Sequence, residues 1–135
     1  MNFKEAEAEL RFFFNTAWAG ETAIAWPDTE FEPPSKETWV RFDCRENDGF
    51  QAGFGSPNNN RFRHTGIVTI QVFQPSGKAS VEARDIATQA IAVFMGQTTA
   101  NGIMFKNVQA RQIGNDGNGY YQINVLAEFF YDEYT

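Results

Sequence analysis

With 135 residues, a net charge of −6 and a pI near 4.7, the chain has the size of one domain. It lacks the surplus of Lys and Arg needed to bind nucleic acid through its whole surface. Cys44 is the only cysteine and His64 the only histidine, which excludes an internal disulfide, a cysteine metal cluster and a His-rich metal site. Two leucines stand against fourteen phenylalanines and fifteen isoleucines and valines, side chains that suit a pleated surface, so more strand than helix is expected.

Asn2 to Ala19 reads as an amphipathic helix. Asn2 can cap it and Glu5 sits three residues on, at capping-box spacing. Phe3, Ala6, Leu10, Phe13, Phe14 and Ala17 share a face suited to a core, with Phe12 and Trp18 on the flanks. Gly20 ends the helix. Ala23 to Trp26 is a short strand closed by Pro27, and Asp28 to Lys36 is an acidic connection in which Pro33-Pro34 forbids helix and central strand alike.

Thr38 to Arg45 alternates. Val40, Phe42 and Cys44 point to the core, whereas Trp39, Arg41, Asp43 and Arg45 point away, so Cys44 reads as a small core residue and not as a nucleophile. Asn47 to Asn60, with three glycines, Pro57 and an asparagine run, reads as a long loop carrying Phe50 and Phe54. Phenylalanines on such a loop either tuck back or meet a partner.

The stretch from Arg63 to Gly96 is a strand followed by a helix. Ile67 to Phe73 is uncharged and β-branched, Pro75-Ser76-Gly77 breaks it, and from Ser80 the apolar residues recur at helical spacing until Gly96. Beyond a polar link, Ile103 to Phe105 and Val108 to Ile113 read as two short strands. Asn115 to Gly119 is a hairpin turn, since asparagine and glycine tolerate positive φ. The last strand, Tyr120 to Tyr131, puts Tyr121, Ile123, Val125, Ala127, Phe129 and Tyr131 on one face, and its far end is expected to leave the sheet. The fold class is therefore α+β: a mainly antiparallel mixed sheet with two helices packed on one face.

Charge is segregated. Glu21 to Glu37 and Glu128 to Glu133 are acidic, yet between Gly49 and Val81 there is no acid, only Arg61, Arg63, His64 and Lys78. This predicts a locally positive surface on an acidic protein, able to meet an acidic partner or another copy of the chain. Phe50, Phe54, Arg61, Phe62, Arg63 and His64 are the candidate site, as an assembly interface.

Signatures of catalysis are absent by spacing. No Walker loop or dinucleotide fingerprint is present, and Asp116 to Gly119 fails the ligand pattern of a calcium loop. A Cys44/His64 dyad has no orienting acid or oxyanion hole supplied by motif. No enzymatic activity, cofactor or metal is expected. The chain has no 18-residue apolar run, and its N-terminus has no basic and apolar leader regions, so a protein made in a reducing cytoplasm is expected.

Several pieces in this order resemble the lambda-type tail terminator and tail-completion (minor tail) proteins of long-tailed bacteriophages. They are the N-terminal helix, Trp26, Glu30-Phe31-Glu32-Pro33-Pro34, Thr38-Trp39-Val40-Arg41-Phe42, Arg63-His64-Thr65-Gly66 leading into Ile70-Gln71-Val72-Phe73, the helix from Ser80, and Asp116 to Gln122. The resemblance covers almost the whole chain, residues 1–135, as one tail-terminator-like domain. It implies a structural virion protein in the tail or neck, made in the bacterial host, that closes into a ring, usually a hexamer, on the tail tube. Its partners would be other copies of itself, the tail-tube protein and the head-side connector, with DNA passing through the lumen without specific binding and no membrane involved. Another neck or head-completion protein, or a small-molecule-binding α+β domain, are the alternatives.

Overall fold

The computed structural model describes all residues from Met1 to Thr135. The elements are α1 (Phe3–Trp18), β1 (Ala23–Ala25), β2 (Trp39–Gly53), β3 (Arg61–Pro75), α2 (Val81–Phe94), β4 (Met104–Asn115) and β5 (Tyr120–Tyr134). The five strands form one sheet in the order β1-β2-β3-β5-β4. Only β1 and β2 run parallel, and the other neighbours are antiparallel. This is the expected α+β fold.

Both helices lie on one face. Val40 and Phe42 of β2, Val68, Ile70 and Val72 of β3, and Ile123, Val125, Ala127 and Phe129 of β5 line that face and are buried. Against them pack Ala6, Leu10, Phe14 and Trp18 of α1 and Ala83, Ile86, Ala87, Ala90 and Phe94 of α2. Phe14 joins the layers: its ring stacks on Phe94 at 5.9 Å and meets Phe42 at 5.9 Å.

The capping box forms as read. The Asn2 side chain accepts from the Glu5 N–H at 2.9 Å, and the Asn2 N–H donates to the Glu5 carboxylate at 3.0 Å. The buried stripe, however, follows an i, i+4 ladder ending on Trp18, while Phe3 and Ala17 are exposed. Trp18 is held there by an indole N–H bond to Thr22 Oγ1 at 3.0 Å. At α2 a side chain from the preceding strand does the capping: buried Gln74 accepts the Ala83 N–H at 2.8 Å.

Three boundaries differ from the sequence reading. The loop expected over Asn47 to Asn60 shrinks to residues 54–60, because β2 continues to Gly53 and β3 begins at Arg61. Register shifts between Glu46 and Asp48 and between Gln51 and Gly53 let β2 absorb extra residues without breaking. The two short strands after α2 are one, β4, with a register shift at Lys106 between Phe105 and Asn107. Finally, β5 does not leave the sheet; it pairs with β3 along its whole length, from Tyr120 against Pro75 to Tyr134 against Arg61.

Trp39 points away from the helices as read, yet it is buried. The acidic connection folds back and places Phe31 over it at 5.0 Å, and Phe73 stacks on it at 4.4 Å. Arg41 lies above both rings.

Candidate functional site

Between Cys44 and Val68 no residue belongs to either apolar cluster. The distal halves of β2 and β3, with the end of β5 beside them, form an arm that reaches beyond the helix layer. Backbone pairing continues to its tip, where Asn60 and Thr135 exchange two N–H···O bonds of 2.9 Å. Of the core residues only Tyr131 of β5 reaches into it, and the arm is otherwise held by side chains across the strands.

On one face Arg63 donates through Nε and Nη2 to the two oxygens of Asp132, at 2.8 and 3.0 Å. The two residues are direct cross-strand partners, and the guanidinium also covers Phe130 at 4.7 Å. Arg61 Nε lies 4.0 Å from the same carboxylate. The Arg63 guanidinium holds the Asp132 carboxyl below its ordinary value. On the other face the His64 ring stacks on Tyr131 at 4.9 Å. Its Nε2 is 2.9 Å from Glu133 Oε1 and its Nδ1 is 3.7 Å from Glu46 Oε2. The Tyr131 hydroxyl donates to the Glu46 carboxylate; burial first, and then that bond, push its pKa up. Gly49 faces His64, and a Cβ there would come within 2.9 Å of Nδ1, so the glycine makes room for the ring.

The positive surface expected from the acid-free run is therefore absent. Acids distant in sequence, Glu46 on β2 and Asp132 and Glu133 on β5, pair with Arg63 and His64, and Arg61 lies beside Asp132. Sheet pairing made that neutralisation, and a one-dimensional charge run cannot show it.

The arm instead presents aromatic surface. Phe54 is 90% exposed at the tip and Phe50 46%, so neither tucks back onto the chain. Phe62 is partly buried, opposite Gln51 and Glu133. Tyr134, 62% exposed and paired with Arg61, shares the face of Phe50 and was not singled out in the sequence. Its signal was an aromatic residue at the end of a strand too long for its core.

The helix-covered face is filled. The apolar cavity between α1 and the sheet, lined by Phe3, Ala6, Leu10, Cys44 and Phe129 among others, has about 20 Å³, room for a single water. Cys44 borders it. Burial, reinforced by Glu7, Asp43 and Glu46, pushes its thiol up to about 12, so it is a neutral side chain at ordinary pH. The His64 ring nitrogens face Glu133 and Glu46, not Cys44. No group of three or more His, Cys, Asp or Glu side chains is placed to hold a metal ion, and no helix is long and apolar enough to cross a membrane.

No curated protein matches the chain. Its fold is similar to that of a solved structure that carries no functional name, with a TM-score of 0.68 and 15% identity over 96% of each chain. The model of one family, described as phage tail terminator protein, matches residues 7–128, from the first turns of α1 to the middle of β5. The chain belongs to this phage tail terminator family, a family of phage tail components.

Proposed function

We propose that the protein caps the tube of a phage tail, ends its polymerisation and forms part of the head–tail joint as a ring of identical copies. The observation that carries this reading is the family match over residues 7–128. The protein acts by occupying a surface and catalyses nothing. Its partners are the tail-tube protein on one side and the head-side connector on the other. The net charge of −6 favours a bore through which DNA passes without adhering.

The arm is the docking element in this reading. Phe50 and Tyr134 on one face, Phe62 on the other and Phe54 at the tip supply the apolar contact, and aromatic side chains of this kind dominate interface energetics. Arg61, Arg63 and His64 hold the arm in shape as much as they touch a partner. The direct test is to mix purified protein with tail tubes of its own phage and view the ends by electron microscopy. At micromolar concentration a cap of density is expected on tube ends, and bare ends would overturn the assignment. A monomer in solution is compatible with it, because tube ends can template the ring.

A further inference from the structure

The sheet is open on both sides. β4 is the outermost strand on one side; Gln97 and Thr98 bridge its outer edge at Met104 and Phe105, and from Lys106 to Asn115 that edge has no partner. On the other side β1 covers only Trp39 to Arg41, which leaves the outer edge of β2 from Phe42 to Gly53 equally unpaired. Such edges present rows of free backbone N–H and C=O groups, ready to pair with another strand. Neither edge carries a proline to block it.

We propose that β4 of one copy pairs with the distal half of β2 of the next, so that the sheets of neighbouring copies run on into one another around the ring. This rests on the ring reading above and adds the surface that closes it. Three observations support it. The first is direction. β2, β3, β5 and β4 alternate, so in copies related by rotation about one axis β4 meets the neighbouring β2 antiparallel, the more stable pairing.

The second is level. Following the register across the sheet, Met104 lies level with Asp48 through Phe130 and Thr65, and Gln109 lies level with Asp43 through Leu126 and Thr69. In a flat ring the free edge from Lys106 to Gln109 therefore faces Asp43 to Glu46. The irregularity of β4 at Lys106 lies between the levels of Glu46 and Arg45, one residue from that of β2 at Asn47.

The third is charge. From Met104 to Asn115 the only charged residues are Lys106 and Arg111, and neither has an ion-pair partner in its own chain. The β2 edge carries Asp43, Glu46 and Asp48 against Arg45, net negative although Asp43 is bonded to Arg45 and Glu46 to Tyr131 within the chain. Two copies joined β4 to β4 across a two-fold axis would also be antiparallel, but would set cation against cation. Charge selects the head-to-tail arrangement.

Cysteine trapping tests the pairing. In a Cys44→Ala background, a chain carrying both Asp43→Cys and Gln109→Cys is bound to tube ends and oxidised. A ladder of disulfide-linked multimers larger than dimers is expected from the double variant, and none from either single variant. Capped tubes without cross-links would overturn the edge pairing and leave the function standing. Dimers from Gln109→Cys alone would replace it with a two-fold contact, and bare tube ends with the parent protein would overturn both readings. As a second measurement, Lys106→Glu should weaken capping at least tenfold with an unchanged circular dichroism spectrum. Undiminished capping by Lys106→Glu contradicts the proposal.

Discussion

A methyl group at Gly66 would come within 2.4 Å of the Arg45 carbonyl oxygen and 2.5 Å of Phe129 Cζ. The missing side chain lets the Phe129 ring lie across β3, so Gly66→Ala must displace a fully buried ring or the neighbouring backbone. We expect a loss of about 1–3 kcal/mol, read as a lower urea midpoint; an unchanged midpoint would show that Phe129 has room to move. Gly66 stands just ahead of the β-branched run from Ile67, and a glycine within a strand is the local mark of such a close approach. Asp132 acts at the same scale through pH. Its folded value lies below the ordinary 3.8, so its contribution is full above 3.8 and is lost as pH falls through the folded value. Asp132→Asn should therefore shrink the gap between urea midpoints measured at pH 7 and near pH 3. Cys44 has the opposite sign: its folded thiol value is raised from 9.0 to about 12, so the stability it confers is intact below 9 and lost as pH climbs through that window. Labelling of the native protein by a thiol reagent at pH 8 should accordingly be slow, and should become fast in urea.

At the scale of elements, the parts with a core beneath them were legible and the arm was not. The cap and start of α1, the helix after Ser80, the inward faces of β2 and β5, and the Asn115 to Gly119 turn all follow from local chemistry, although Phe3 and Val81, each on the apolar stripe of its helix, are exposed. The arm defeats that logic, because period-two alternation marks a strand only where one face is buried. From Asn47 to Gly53 neither face is, so glycine and asparagine read as loop while cross-strand bonds to β3 keep the segment extended. The six residues singled out as an interface do come together on this arm, but Arg61, Arg63 and His64 turn inward to acids from other strands. A prediction follows about which of them act on partners. Phe50→Ser with Phe54→Ser should leave the unfolding midpoint within about 0.5 kcal/mol of the parent, as exposed substitutions do. Capping of tube ends should be lost. Reversing Arg63 to Glu is a poorer probe, since it places like charges directly opposite at Asp132 and weakens the arm itself.

For the whole molecule the consequence is a gradient of stability along the strands. One end of the sheet lies under two helices and buries Ile70, Val72, Ile123 and Val125 completely or nearly so, whereas the other end extends past them with bare backbone on its outer edge. Amides that open only when the core unfolds exchange at the rate set by global stability, and amides on an uncovered arm exchange through local opening that costs far less. Hydrogen exchange on the free protein should therefore rank the centre of β3 and β5 slowest, with residues 47–60 and the outer edge of β4 orders of magnitude faster. Uniform protection along β2 would mean that the cross-strand ion pairs stiffen the arm as strongly as the helices stiffen the core. The same measurement reports on assembly, because a segment ordered on binding gains protection there and nowhere else. On tube ends the arm should slow markedly. If the sheet also continues from copy to copy, the β4 edge should slow with it, since free edge amides become paired, while the already slow centre of β3 stays as it was.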